Sequence, residues 1–347
     1  MTDRVDAVAH RRVKPALGRW LPPALLIGLI LLSCGMGKYA VSPTDLLSLL
    51  TAKLTGSAAN VPPAVETVVW QIRLPRVLGG VLVGAALAAS GAAYQGMFRN
   101  PLVSPDILGV SAGAGLGAAL GIFFSLPVAA IQALAFIGGL LAVGAVYLIG
   151  GAIRRHDPIL VLVLTGIAVG ALLGAAISLV KVLADPYDQL PAITYWLLGS
   201  LTGVTQHDIL GTVPAVLIGL VPLYLLRWRM NLLSLGEDEA RALGVSTGRL
   251  RLLFIAAATL MTSATVSIAG IVGWIGLLIP HVARILVGPD FARLLPAALM
   301  LGAGFLVAVD ALARTMASIE VPLGILTAVI GAPFFLWLLA AARRSWQ

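Results

Sequence analysis

The sequence predicts an all-α polytopic membrane protein, and the prediction rests on its composition, its glycine and proline content and its apolar runs. Of the 347 residues, 59% are hydrophobic and only 11% are charged, and the mean hydropathy is +1.01. Soluble domains carry roughly 25% charged residues, so a single water-soluble globule is excluded. The 38 glycines and 20 prolines are typical of closely packed and interrupted membrane helices.

About ten apolar runs approach the roughly 20 residues that a spanning helix needs. We place the spans near residues 20–38, 75–96, 106–125, 127–150, 159–182, 208–226, 250–270, 271–287, 293–313 and 323–342. Several of these runs are short or broken by glycine and proline. Residues 1–19, before the first run, form a basic tail that we expect to be cytoplasmic. Residues 20–347 are predicted to form one transmembrane domain, which leaves no room for a separate soluble catalytic domain.

The distribution of basic residues orients the predicted spans. When the ten runs are threaded through a membrane, 17 of the 23 lysines and arginines fall on the side of the N-terminal tail. Cytoplasmic loops carry this kind of excess, so both termini are predicted to be cytoplasmic. The formal net charge of +8 therefore reflects topology in the lipid bilayer, and no nucleic-acid partner is expected.

Three connections are long enough to have a role of their own. Residues 39–74 and 183–207 form the predicted periplasmic loops, and residues 227–250 lie on the cytoplasmic side. Within the last of these, Gly236–Gly244 is predicted to be a short helix. It has acidic residues in its first turn, where the helix dipole favours them, and a glycine at its end. Such a helix is either a solvated linker or a docking element for a soluble partner.

Motifs that would indicate an enzyme are missing from the sequence. It contains no G-x-x-x-x-G-K-[ST] phosphate-binding loop and no H-E-x-x-H pair. Its one cysteine, Cys34, excludes a Cys-based metal site, and its four histidines lie in different segments. We therefore predict no catalytic residue, no metal ligand and no cofactor bound by this chain.

Asp310 is the main ionisable residue inside the predicted spans. Carriers driven by ion gradients usually need carboxylates at mid-membrane depth, so Asp310 and the Gly/Pro breaks leave a secondary transporter open as an alternative. A second alternative is a non-transporting membrane protein, such as an intramembrane enzyme or a respiratory subunit. It would need a catalytic or haem-ligating cluster, which the sequence does not show.

Three arginines are predicted to lie on the outer side, against the usual charge bias: Arg73, Arg76 and Arg314. Arginine makes bidentate contacts with carboxylates, so one interpretation is that these side chains bind acidic groups of an external partner. The other is that they reach lipid phosphates or pair with Glu66 and Glu320.

Eight short segments point to one family of transporters. Residues 84–102 read GAALAASGAAYQGMFRNPL, and residues 105–113 read PDILGVSAG. Further segments are YWLLGS at 195–200, LGE at 235–237 with ALG at 242–244, IGLLIPH at 275–281, VPLGI at 321–325 and GAPFFLW at 331–337. From about residue 65 to 340, the chain resembles the membrane permeases of the ABC importers for ferric siderophores, haem and cobalamin, the type II importers.

The resemblance implies a complex and a location. It implies a homodimeric, multi-pass permease of the bacterial inner membrane, with two separate ATPase subunits that hold ATP and Mg. A soluble periplasmic binding protein would deliver the cargo. We expect that cargo to be an iron complex, either haem or a ferric siderophore, with cobalamin as the alternative.

The resemblance also implies roles for individual residues. It makes 227–250 the cytoplasmic coupling segment, which would contact the ATPase through Leu235, Gly236, Glu237, Glu239, Arg241, Leu243 and Gly244. It assigns docking of the binding protein to Arg73, Arg76 and Arg314. The translocation pathway is expected to include Gly84, Gly91, Gln95, Asn100 and Ser111. The turn after Arg155 is more apolar than the gate turn of the cobalamin member, so no gate residue is carried over.

Overall fold

The computed structural model describes residues 15–153, 158–233 and 237–342, and these ranges are helical with short connections and contain no β-strand. The α-helices are α1 (Pro15–Gly35), α2 (Pro43–Thr55), α3 (Pro63–Thr67), α4 (Leu74–Phe98), α5 (Val110–Phe123), α6 (Val128–Ala152), α7 (Pro158–Leu183), α8 (Gln189–Leu197), α9 (Gln206–Leu225), α10 (Arg227–Leu233), α11 (Glu237–Ala242), α12 (Thr247–Ala269), α13 (Ile275–Val287), α14 (Phe291–Thr315) and α15 (Leu323–Ala342). A π-helical turn, Val68–Arg73, joins α3 to α4, and a 3₁₀ turn, Pro105–Leu108, precedes α5.

Within the described ranges, six helical segments are long and apolar enough to cross a membrane: Pro63–Phe98, Val128–Ala152, Ile159–Leu183, Gln206–Leu225, Thr247–Ala269 and Phe291–Thr315. Four shorter apolar helices accompany them: Pro22–Gly35, Val110–Phe123, Ile275–Val287 and Leu323–Trp337. Each of the ten predicted runs coincides with one of these helices. The multi-pass, all-α prediction is therefore confirmed, while the number of crossings and the side of each terminus stay predictions.

The predicted loop 39–74 is largely helical, which corrects the sequence analysis. Ser42 and Asp45 form a capping box at the start of α2, and Gly56 ends that helix with a φ of 69°. Pro63 then begins a continuous helical segment of 36 residues that runs through α3, the π turn and α4 to Phe98. The helix that contains the predicted span 75–96 therefore begins twelve residues earlier, at Pro63, and passes Pro75 without a break through the π turn. The second predicted loop, 183–207, likewise contains α8.

The centre of the molecule consists of α4, α12 and α14. In their most apolar windows 78%, 72% and 61% of the residues are buried, compared with 28% in α6, 17% in α7 and 22% in α9. The outer helices therefore present apolar faces that lipid or a further subunit would cover, since an exposed apolar face of this size marks a membrane or protein contact. The central helices are enclosed by the rest of the chain.

The central helices approach each other closely at glycines. A Cβ atom added to Gly84 of α4 would lie 2.2 Å from the carbonyl oxygen of Gly302 in α14, and one added to Gly91 would lie 1.9 Å from that of Gly276 in α13. Real side chains cannot occupy such positions, so the backbones themselves are in contact. Small residues permit this approach in membrane proteins, where dispersion between helices replaces the hydrophobic effect.

Candidate functional site

One end of the α4–α14 pair holds a group of charged side chains that we call the arginine cluster: Arg73, Arg76, Asp310, Arg314 and Glu320. Arg73 is 4% exposed. Its guanidinium donates to the carbonyl oxygens of Cys34 at 2.8 Å and of Gly35 at 2.9 Å. These are among the last carbonyls of α1, which have no partner within the helix. Arg73 therefore caps the C-terminal end of α1.

Asp310 lies between the other two arginines. Arg76 Nε is 2.8 Å from Asp310 Oδ1, and Arg314 Nε is 3.1 Å from Asp310 Oδ2. Arg76 also binds the Glu320 carboxylate, at 2.9 Å. The Arg314 fork donates in addition to Ser33 Oγ at 2.5 Å. The cluster thus connects the ends of α1, α4 and α14 with the connection between α14 and α15.

Glu320 is the most accessible carboxylate of the arginine cluster, with 26% of its side chain exposed. Burial by itself would raise the pKa of this carboxyl. The Thr202 hydroxyl, which donates to it at 2.5 Å, and the nearby Arg76 guanidinium outweigh that effect, so the pKa is lowered. Glu320 is therefore ionised at neutral pH and is the partly exposed member of the ion pair with Arg76.

These contacts bear on two of the sequence interpretations. The alternative in which Arg76 pairs with Glu320 is confirmed, whereas docking of a partner on the three arginines stays a prediction. A partner's carboxylate would have to compete with Glu320 for Arg76, which is itself 5% exposed. Asp310 is held by two guanidiniums, so it is a structural ion pair and gives the gradient-driven carrier no free carboxylate.

The coupling segment, residues 227–250, begins with α10 and continues through α11 into α12. Leu235 and Gly236 lie outside the described residues. Glu237, Glu239 and Arg241 all lie in α11, where Glu239 is exposed, and Leu243 follows it at 61% exposure. Gly244 has a φ of 79° and the amide of Val245 donates to Ala240 O at 3.0 Å. The predicted short helix ending at this glycine is confirmed, and its contact with an ATPase stays a prediction.

The structure also reveals an attachment of α10 that the sequence analysis missed. The Asn231 side-chain amide donates to Asp290 Oδ1 at 2.7 Å, and its carbonyl accepts from the Phe291 amide at 2.9 Å. Met230, which is 1% exposed, packs beside Gly96 near the end of α4. An Asp directly before an apolar helix is a recognisable N-cap signal, but nothing in the sequence indicates its partner 59 positions earlier.

The five residues predicted along the translocation pathway separate into two groups. Ser111 lines an open cavity of about 260 Å³ together with Leu87, Ser104, Pro105, Asp106, Thr262, Val272, Gly273, Trp274, Gly276 and Leu277. The cavity lies where the chain is interrupted between α12 and α13 and before α5. Of the predicted pathway residues, Ser111 is the one that lines this cavity.

The other four residues have structural contacts of their own. Gly84 and Gly91 form the backbone contacts described above. Gln95 is buried, donates to Leu277 O at 3.0 Å and accepts from Arg284 at 3.2 Å. Asn100 forms a turn by accepting from the Leu102 amide at 2.9 Å. These contacts give the four residues roles in helix packing and turn formation. That they line a translocation pathway stays a prediction.

Comparison with known proteins decides what kind of bundle this is. The family model described as the FecCD transport family matches residues 25–341. The chain belongs to the FecCD transport family. The segments that carried the resemblance all lie within the matched range. The permease resemblance drawn from those segments is therefore confirmed.

Three similar relatives of the FecCD chain are named for different cargoes. It is 39% identical to the molybdate import system permease protein of Haemophilus influenzae over 320 residues, 90% of this chain and 94% of the relative. It is 45% identical to the cobalamin import system permease protein of Halobacterium salinarum, over 81% and 75% of the two chains. It is 42% identical to an iron chelatin transport system permease protein of Helicobacter pylori (strain 26695), over 81% and 84%.

A solved structure shows the same fold. The FecCD chain matches a metal-chelate type ABC transporter in an inward-facing conformation with a TM-score of 0.84 and 36% sequence identity. The match covers 94% of this chain and 99% of the other. The chain is therefore the permease of an ABC importer and a multi-pass membrane protein.

Proposed function

We propose that this chain is the permease subunit of an ATP-driven importer for an iron complex, either haem or a ferric siderophore. In this proposal it acts as a homodimer in the bacterial inner membrane, carries two ATPase subunits and receives cargo from a soluble periplasmic binding protein. The observation that carries the proposal is the FecCD match over residues 25–341. The helical coupling segment at the end of the bundle remote from the arginine cluster supports it.

ATP hydrolysis is assigned to the separate subunit, which would hold ATP and Mg. The sequence of this chain has no phosphate-binding loop, and α11 is too short to contribute more than a contact surface. Its acidic residues, Glu237 and Glu239, precede Arg241 along one short helix. When the ATPases close, we expect α11 to move with them and the α10 and α12 ends to follow.

The named relatives suggest two classes of cargo, metal chelates and an oxyanion. An iron chelate agrees with the iron chelatin relative and with the metal-chelate type of the matching structure. The relative named for molybdate import suggests a second class of cargo, an oxyanion, which the sequence analysis did not consider. The cavity beside Ser111 offers hydroxyls and small residues, which suit a cargo that passes without being held tightly, since few charged groups face it.

Purification from the native membrane is the first test. A tagged chain is expected to bring down an ATPase subunit in equal amount. The purified complex in proteoliposomes is then offered a ferric siderophore, haem, cobalamin and molybdate, each with its soluble binding protein. ATP-dependent uptake of an iron complex supports the proposal, whereas uptake of cobalamin or molybdate alone overturns the cargo. A chain that emerges without an ATPase, and transports without ATP, overturns the importer itself.

The substitution Glu237→Lys tests the coupling segment. It reverses one charge on α11, so we expect it to abolish ATP-driven uptake and release the ATPase while leaving the bundle folded. Glu66→Lys reverses an exposed charge on α3, in the region remote from α11, and should keep the ATPase bound. Normal uptake by Glu237→Lys would remove the assigned role of α11.

A further inference from the structure

Helix α10 contacts the ends of the two helices that carry the arginine cluster at their other ends. Gly96 is near the last turn of α4, and a Cβ atom there would lie 3.2 Å from both Cγ and Sδ of Met230. Phe291 begins α14 and binds Asn231. The part of the coupling segment nearest the bundle is therefore fixed to α4 and α14 together.

Asn231 uses both of its polar groups in this attachment. Its Nδ2 donates to Asp290 Oδ1 at 2.7 Å, and its Oδ1 accepts from the Phe291 amide at 2.9 Å. Asp290 Oδ1 also accepts from the Ala292 amide at 3.0 Å, as an N-cap residue does. Two of the free amides at the start of α14 therefore have acceptors: Ala292 donates to the N-cap residue Asp290, and Phe291 donates to Asn231 of α10.

Helix α14 runs continuously from one end of the molecule to the other, with Pro296 in its second turn. Its 25 residues span about 37 Å at 1.5 Å per residue. Asp310 and Arg314 lie near its far end, and the contact between Gly84 and Gly302 holds it against α4 along its length. A displacement applied at Phe291 therefore moves Asp310 and Arg314 together, relative to Arg76 on α4.

The surface ion pair beside this attachment does not explain it. Arg293 Nε lies 3.8 Å from Asp290 Oδ2, and 77% of the arginine side chain and 45% of the aspartate side chain are exposed. Such pairs contribute little, because solvent screens them. Asn231 differs because it is half-buried and provides a donor and an acceptor at once, which fixes both the position and the orientation of α10.

We propose that Asn231 is a positioning residue that transmits movement of the coupling segment to α14, and through α14 to the arginine cluster. This inference rests on the proposed function, since it requires an ATPase at α11 and a partner at the opposite end. Coupling of this kind is reciprocal in binding free energy. A partner that binds at the cluster then changes the state of the ATPase through the same hydrogen bonds.

An exchange of side chains tests the proposal. Asn231→Asp places a carboxylate against Asp290 and removes the donor, so the attachment opens. The double variant Asn231→Asp with Asp290→Asn restores a hydrogen bond between the two positions, because the amide of the new asparagine donates to the new aspartate, and the asparagine carbonyl oxygen then has to cap the Ala292 amide. That aspartate still accepts from the Phe291 amide. The readouts are ATPase recovery in pull-down, basal ATP hydrolysis, and its stimulation by the cargo-loaded binding protein in proteoliposomes.

We expect Asn231→Asp to retain the ATPase and basal hydrolysis while stimulation falls about tenfold, in the usual range of coupling between sites. In the double variant, stimulation of ATP hydrolysis should return to within about twofold of that of the original chain. Arg293→Ala is the matched control, since it removes only the exposed partner of Asp290, and it should leave stimulation unchanged.

The outcomes separate this inference from the proposed function. If the unaltered complex binds no ATPase or imports nothing, the proposed function fails. If the unaltered complex works and Asn231→Asp is stimulated normally, the positioning role is overturned. A double variant that assembles but stays uncoupled also overturns it, because the hydrogen bond between positions 231 and 290 is then present without its expected effect.

Discussion

The guanidinium of Arg76 lies 2.8 Å from the carboxylate of Asp310, although 234 positions separate the two residues in sequence. Only 7% of the arginine side chain and 1% of the aspartate side chain are exposed. Removing two charges from water costs several kcal/mol per ion, which a close pair with further hydrogen bonds offsets. The pair therefore holds α4 and α14 in register at one end, and it is costly to break from either side.

Asp310→Asn is expected to destabilise the protein by about 3–5 kcal/mol, because it removes the carboxylate that two buried guanidiniums share and leaves Arg76 with Glu320 alone. The measurement is the unfolding midpoint of the purified protein in detergent. Glu66→Gln is the matched control, since it neutralises an exposed carboxylate on α3, and its midpoint should stay within the error of the original. An unchanged midpoint for Asp310→Asn would show that the pair has no structural role.

Glu320 predicts a dependence of stability on pH. Burial opposes its ionisation, but Thr202 and Arg76 lower the pKa overall. A carboxyl whose pKa is lower in the folded state contributes stability above its unfolded pKa of about 4.3. That contribution is lost as the pH falls through the lowered pKa, when the folded carboxyl is protonated. Unfolding midpoints between pH 7 and about pH 3 should therefore fall less steeply for Glu320→Gln than for the original chain.

Glu320→Gln also probes the docking prediction. If a binding protein places a carboxylate on Arg76, removing the competing charge should strengthen binding at low salt, and added salt should reduce the gain. Titration of the binding protein against the reconstituted complex measures this. Weaker or unchanged binding would indicate that the partner contacts other residues. This variant is preferable to changes at Arg73 or Arg314, whose side chains are buried in the fold.

The sequence predicted the elements whose causes are local. Apolar runs located the spanning helices, and the acidic first turn with Gly244 located α11, since helix dipole and C-cap preferences act within a few residues. Contacts between residues that are distant in sequence could not be predicted in this way. The pairing of Arg76 with Asp310 and that of Asn231 with Asp290 both depend on how α4, α10 and α14 pack. The helix α2 was missed because its polar, proline-containing sequence reads as a loop.

Gly91→Ala tests the backbone contact between α4 and α13. The added Cβ atom would lie 1.9 Å from Gly276 O, so the helices must separate, and we expect a loss of about 1–3 kcal/mol with reduced transport. Gly144→Ala in α6 is the control, because nothing lies within 4 Å of its Cβ position. A Gly91→Ala protein as stable as the Gly144→Ala protein would contradict the contact.

Gly244→Ala tests the end of α11 without adding any steric clash. Nothing lies within 4 Å of the added Cβ, so the change acts only through the backbone φ of 79°. An alanine in that conformation costs about 1–2 kcal/mol, and the turn that directs the chain from α11 into α12 should rearrange. Gly248→Ala, in ordinary helical conformation with equally open space, is the matched control. We expect ATPase recovery in pull-down to fall for Gly244→Ala alone; equal recovery would mean that the ATPase does not recognise the shape of this turn.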